Sequence, residues 1–296
     1  MRPFKSTLRD VALQIYTSLS TAIILVGGGV KLTALETQMS ATSTTPGYTK
    51  GHRVLEVLAI VTLFSLVAAG CWRALSAAGP NDGWWLAAGI FFGYVLADFT
   101  SGLVHWMGDR LGGYETPILG AAFIRPFREH HVDPKAMTTH DFIETNGNNS
   151  IVTVPLMAAA WLIPTTSSLG LFCFSVALSL AFWIFATNQF HKWSHQSEVP
   201  AIVAWAQRTG LILEPNHHQV HHTSPYETYY CITNGWLNAP LHKIQFWRLA
   251  ERFVERWTHM NVYRDDVDTE SSSVEASIDE LDKPIDSQGP TEHATA

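Results

Sequence analysis

The sequence predicts an all-α integral membrane protein of about four transmembrane helices with a cytoplasmic, histidine-rich helical cap. Three observations predict it. Of 296 residues, 47% are hydrophobic and only 15% charged, well short of the quarter expected of a soluble globular chain. The apolar residues gather in runs of bilayer length. The third is "EPNHHQVHHTSPYETYY", from Glu214 to Tyr230, which puts four histidines into six residues of a chain that has 14.

Residues 1–50 read as an N-terminal extension. Within it, residues 10–30 contain the apolar run "TAIILVGGGV", broken by three glycines, which reads equally as a fifth span or an interfacial helix. No small-residue cleavage pattern marks a secretory signal. Residues 51–262 read as the membrane domain, with apolar runs at 54–75, 84–105, 150–164 and 168–190. Three have the roughly 20 residues that a spanning helix needs. The run at 150–164 is short, and Pro164 with "TTSS" makes it one arm of a hairpin with the next. Residues 263–296 form an acidic tail, in which residues 265–296 hold ten Asp/Glu against Lys283 alone. It has too little apolar surface to fold, so disorder is expected. This tail carries the net charge of −7; the remainder is near neutral, and nucleic acid is not an expected partner.

In a four-span arrangement 18 of the 19 Lys and Arg fall on one side, Arg73 being the exception. Cytoplasmic loops collect basic residues. Both termini, the segment 106–149 and the clustered histidines are therefore expected to be cytoplasmic. Cys71, Cys173 and Cys231 are far apart, with no CxxC, so neither a zinc finger nor a disulfide framework is expected.

The chemistry is carried by spacing. In "HKWSH", His191 and His195 are i and i+4, one face of a helix; in "HQVHH", His218, His221 and His222 are i, i+3 and i+4, again read as one face. "FREHHVDPKAMTTH" adds His130, His131 and His140, and His105 ends the second span. A lone histidine at a membrane surface is ordinarily a hydrogen-bonded one, but eight at helical spacings form a constellation. Imidazole suits Zn, Cu, Fe and Ni, and eight to ten histidines exceed what one zinc needs. Two metals sharing them, in a di-metal site, fit better, and histidines with open positions suit iron that must activate O₂. Asp98, an ionisable residue inside a span, reads as a functional candidate, either orienting His105 or bonding between helices. Asn216 and Asn234 could hydrogen-bond ligand histidines, and Arg125 and Arg128 a lipid phosphate; ordinary loop chemistry accounts for each equally well. His52, His242, His259 and His293 lack partners at ligand spacing.

The motifs "ADFTSGLVHW" (97–106), "AFIRPFREHHVDPKAMTTHDFIETNGNN" (122–149), "TNQFHKWSH" (187–195) and "HHQVHHTSPYETYYCITNGWLN" (217–238) resemble the plasmanylethanolamine desaturase family, also known as Kua or the lipid desaturase domain. The resemblance covers roughly residues 84–262. It implies a membrane di-iron desaturase that turns a 1-O-alkyl ether phospholipid into its vinyl ether form, using O₂ and electrons from a cytochrome b5-type donor protein. It implies two iron ions held by His105, His130, His131, His191, His195, His218, His221 and His222, with His140 and His217 ranked second. The membrane would be the endoplasmic reticulum in a eukaryote and the cytoplasmic membrane in a bacterium. Two rival readings keep the same scaffold: a fatty acyl-lipid desaturase or hydroxylase, and a non-catalytic membrane scaffold or metal-handling protein.

Overall fold

The computed structural model describes residues 48–258, 260 and 262–264. The candidate span within residues 10–30, the acidic tail from Asp265 onward, His259 and His293 lie outside the described residues. Among the described residues the α-helices are α1 (Lys50–Ala77), α2 (Gly83–Arg110), α3 (Arg125–Val132), α4 (Phe142–Ala160), α5 (Ser168–His195), α6 (Ala201–Arg208), α7 (Pro215–Gln219), α8 (Asn238–Lys243) and α9 (Phe246–Thr258). Strand pairing among them is limited to one isolated antiparallel bridge, Leu111 to Val262.

The three helices α1, α2 and α5, each of 28 residues, rise about 42 Å at 1.5 Å per residue. They are the described helices long and apolar enough to cross a bilayer. Each outruns the apolar stretch that predicts it. α1 starts at Lys50 because Thr49 caps it, its Oγ1 accepting from His52 N at 3.1 Å. α2 continues past His105 to Arg110, which puts Asp109 one turn further along the face that carries His105.

The sequence places a third span at 150–164, whereas α4 runs from Phe142 to Ala160, 19 residues. It starts earlier because Asp141 caps it, Oδ1 accepting from Ile143 N at 2.9 Å and from Glu144 N at 3.0 Å. The polar stretch "ETNGNN" is helical because α5 satisfies its side chains. Asn146 Nδ2 donates to Gln189 Oε1 at 3.1 Å, and Asn149 Nδ2 to Ile184 O at 2.9 Å.

α1 packs on α4, α4 on α5, and α5 on α2. At one end of the bundle the connections meet: Ser168 Oγ donates to Asp82 Oδ1 at 2.6 Å, and Arg73 donates to Trp161 O at 3.0 Å and Ile163 O at 2.7 Å. At the other end the N-termini of α1 and α4 are joined by Arg53 and Asp141, 2.6 Å apart. Here the C-termini of α2 and α5 deliver His105, His191 and His195. The close approach of α2 and α5 depends on glycine: a Cβ on Gly93 would lie 2.5 Å from Val176 O and 2.6 Å from Ser179 Cβ. Small residues at such contacts are what packs helices surrounded by lipid.

Two apolar clusters hold the remainder. Leu63, Met157, Phe174 and Phe185 fill the space between α1, α4 and α5, and Trp106, Tyr230, Cys231, Leu241 and Trp247 join α2 to the C-terminal segment. Buried Arg110 reinforces the second, Nε donating to Glu251 Oε1 at 2.9 Å and Nη2 to Glu227 Oε1 at 3.3 Å.

Candidate metal centre

Five histidines converge at the histidine end of the bundle: His130 of α3, His191 and His195 of α5, His218 of α7, and His222 just beyond α7. Their Nε2 atoms face one another, with separations of 3.0 Å for His130–His195, 2.9 Å for His191–His218, 3.2 Å for His191–His195, 3.0 Å for His195–His218 and 3.0 Å for His218–His222. A neutral imidazole has one N–H, so so many mutual contacts cannot all be hydrogen bonds. Donor atoms bound at about 2.1 Å in adjacent octahedral positions would be about 3.0 Å apart. The spacing is that of nitrogens arranged around an ion.

The second group adjoins the first. His105 and Asp109 of α2, His131 of α3 and His221 come together, with Asp109 Oδ2 at 3.3, 3.2 and 3.4 Å from the Nε2 atoms of His105, His131 and His221. Backbone carbonyls settle two tautomers. His105 Nδ1 lies 3.1 Å from Tyr230 O and His221 Nδ1 lies 2.8 Å from Thr228 O. A carbonyl only accepts, so Nδ1 carries the proton and Nε2 presents its lone pair toward Asp109.

Both clusters fit a metal ion. Both carboxylate oxygens of Asp109, and Nε2 of His105, His131 and His221, are buried without a hydrogen-bond partner among the described residues. Leaving such groups unpaired is costly, and a cation between them removes that cost. Burial, with the neighbouring imidazoles, pushes His130 down to about 2 and holds His218 and His222 well below the ordinary imidazole value. All three are neutral at physiological pH, the form that binds metal. The donor sets, five imidazoles and three imidazoles with a carboxylate, suit iron, zinc or copper.

The structure brings the eight first-ranked histidines into these two clusters. It leaves His140 and His217 outside: His140 Nε2 lies 3.8 Å from Glu144, and His217 Nε2 lies 3.1 Å from Asn238 Nδ2. The expectation that His218, His221 and His222 share one face is corrected. His218 and His222, four apart, join one cluster, while His221 turns to the other. Asp98 does not touch His105. It is fully buried and accepts from the backbone N–H groups of Thr233, Asn234, Gly235 and Leu237 at 3.2, 2.9, 2.9 and 3.1 Å, fixing the loop that follows Tyr230. The carboxylate beside His105 is Asp109, absent from the sequence reading although "HWMGD" places it at i+4 from His105. Asn216 bonds Glu214 Oε1 at 2.8 Å, and Asn234 Oδ1 accepts from Trp236 N at 2.8 Å, both loop contacts. Arg128 is buried with its guanidinium on Asp109 O at 3.0 Å and Gly112 O at 2.8 Å, closing the C-terminus of α2 rather than facing a phosphate. Arg125 is exposed and lies over the Tyr114 ring. His52 faces Glu56 at 3.4 Å, and His242 Nδ1 lies 2.8 Å from Thr228 Oγ1.

The fold and site define a helical protein with three helices able to cross a membrane, in which two adjoining donor clusters, each able to hold a metal ion, sit at one end of the apolar helices. The lipid desaturase domain matches residues 94–265, and the chain belongs to that family. It is 47% identical over 236 residues to the plasmanylethanolamine desaturase of Myxococcus xanthus, a match covering 79% of this chain and 83% of that one. It is 44% identical over 228 residues to plasmanylethanolamine desaturase 1 of Mus musculus, covering 74% and 83%. To the chloroplastic fatty acid desaturase 4-like 1 of Arabidopsis thaliana it is 33% identical over 172 residues, 56% of each chain. No solved structure matches it.

Proposed function

We propose that this chain is an O₂-dependent membrane desaturase that converts plasmanylethanolamine, a 1-O-alkyl ether phospholipid, into its vinyl ether counterpart, plasmenylethanolamine. One conjunction carries the reading: paired donor clusters lie in a chain 47% identical, over most of both lengths, to a protein named for that reaction. In this reading His130, His191, His195, His218 and His222 hold one iron ion, and His105, Asp109, His131 and His221 hold a second. Bound there, the two ions supply O₂ activation and oxidation of an unactivated C–H bond.

The protein's part is position and seclusion. Tyr230 O and Thr228 O fix the rings of His105 and His221, and Asp98 fixes the loop behind Tyr230. Burial of His105, Asp109, His191, His218 and His221 limits the access of bulk water to the reacting carbon. Because the C–H bonds of an alkyl chain differ little, the geometry of the bound lipid selects which pair is lost. In this reading exposed Arg125 contacts a lipid phosphate. α4 pairs with α5 as a fourth membrane segment, and the distribution of Lys and Arg puts the clusters on the cytoplasmic side, within reach of a cytochrome b5-type electron donor. The plant relative's name favours a second reading, desaturation of a fatty acyl chain.

Expression in a host that makes alkyl ether phospholipids but no plasmalogens tests the proposal. Acid-labile vinyl ether lipids, two mass units lighter than their precursors, are expected for the wild type and not for His221→Ala. A well-expressed, iron-loaded wild type that has an electron donor and yields none would overturn the ether-lipid assignment and turn the search to acyl lipids.

A further inference from the structure

A surface cavity of about 600 Å³ opens between the loop after α7 and helices α8 and α9, lined among others by Glu227, Thr228, His242, Lys243, Trp247 and Arg248. Its rim is cationic. Lys243 and Arg248 are exposed, and Arg252 and Arg256 continue the exposed basic row at i+4 and i+8 along α9. The acidic groups nearby are engaged: Glu227 by Arg110 and Arg248, Glu251 by Arg110, and Glu255 by Arg264. The surface therefore offers net positive charge to a partner.

Behind this rim stands Trp247, 2% exposed. Its ring centroid is 5.1 Å from that of Tyr230, and the Tyr230 ring is 4.9 Å from His221 and 5.8 Å from His105. A line of conjugated side chains thus runs from the cavity to the cluster containing Asp109. A lipid head group would use the charge of the rim but gives no reason for that line.

We propose that the basic rim of this cavity is the docking surface for a one-electron carrier protein with an acidic face, and that Trp247 and Tyr230 carry its electrons toward His105 and His221. The inference rests on the desaturase reading, though not on which lipid is desaturated. Electron balance requires an external electron donor. Breaking two C–H bonds to make one C=C supplies two protons and two electrons, while reducing O₂ to two waters takes four of each. Two carrier molecules, each oxidised by one electron, supply the other two electrons, and water supplies the other two protons. Complementary charge accelerates encounter and fixes orientation in complexes of this kind.

The test uses the full chain in phosphatidylcholine nanodiscs, titrated with the soluble haem domain of a b-type cytochrome that has an acidic face. Wild type is expected to bind with an affinity that weakens as salt rises, and Lys243→Glu/Arg248→Glu to raise Kd at least about tenfold. Iron content and thermal stability, read on the same preparations, report folding. At saturating carrier, Trp247→Leu is expected to slow haem oxidation by the iron-loaded protein at least about tenfold. An unchanged Kd in the charge-reversed variant overturns the docking surface, and full-speed haem oxidation in the Trp247 variant overturns the route. A charge-reversed variant that raises KM for lipid but binds the carrier normally makes the cavity a lipid site instead. A wild type that oxidises the carrier yet makes no vinyl ether overturns the substrate reading and leaves this one standing.

Discussion

His221 and His222 are consecutive residues whose ring centroids lie 5.5 Å apart with planes at 79°, and each turns its Nε2 into a different cluster. Successive residues on a helical turn point about 100° apart, so an adjacent histidine pair at the boundary can serve both clusters. His130 and His131 repeat the device at 6.2 Å and 75°. The two pairs link the clusters through adjacent backbone.

Single substitutions should therefore separate metal loading from activity. His222→Ala and His221→Ala are each expected to lower product formation by more than about a hundredfold while removing about half of the bound iron, from different clusters. Metal analysis beside lipid mass spectrometry checks this. A variant that loses activity with its full iron content would argue that the histidine in question is not a ligand.

Asp109→Asn should separate the metal-free and metal-loaded proteins. Without metal, the wild type buries a carboxylate whose oxygens have no hydrogen-bond donor among the described residues. Asparagine removes that charge and offers an N–H to a facing imidazole. The metal-free variant should be more stable than wild type by about 1–3 kcal/mol, whereas the iron-loaded variant should be less stable because its second cluster binds metal poorly. Thermal unfolding of both forms, with and without chelator, decides it; equal destabilisation in both forms would make Asp109 purely structural.

Acid should destabilise the metal-free protein from a defined point. Imidazoles in the unfolded chain bind protons below about pH 6.5, but burial keeps His130 neutral in the fold down to about 2 and His218 and His222 neutral well below the ordinary value. The unfolded state binds more protons throughout that range, so stability rises with pH. It is complete above pH 6.5 and falls by about 1.4 kcal/mol per pH unit for each such histidine below it. Unfolding temperatures of chelated protein between pH 8 and pH 5 should show a break near 6.5, and a flat profile would contradict the burial that defines the site.

Much of this site was legible because histidine is scarce and helical spacing is rigid. "HKWSH" needs only the i, i+4 rule to put His191 and His195 together, and α5 does so. The same rule failed for His221, because α7 ends at Gln219 and the following turn has a second cluster to reach. Asp109 is hidden by a boundary: a span that closes at His105 leaves the next turn of α2 outside it. Asp98 looked functional because a buried carboxylate is costly in a span; four backbone N–H donors from a segment more than 130 residues away satisfy it, and no local pattern reveals them. The start of α4 was obscured by "ETNGNN", polar by composition and helical because α5 provides partners for its amides.

Gly93 links the fold to the site most directly. α2 and α5 carry His105, Asp109, His191 and His195, and their separation is set where a Cβ on Gly93 would meet Val176 O at 2.5 Å and Ser179 Cβ at 2.6 Å, with Gly89 one turn away meeting Ser175 Cβ at 2.6 Å. Backbone at those distances cannot yield by a rotamer change, so a larger residue must push the helices apart. Gly93→Leu is expected to cost about 1–3 kcal/mol by overpacking and, by moving the α2 and α5 donors out of register, to lower iron content as well as activity. Gly83→Leu, at the start of α2 where a Cβ meets nothing within 4 Å, is the matched control and should leave iron content intact. Iron per chain and unfolding temperature for the two variants settle the matter: if Gly93→Leu keeps full iron loading, the clusters are positioned by the cap segments α3 and α7 and not by the contact between α2 and α5.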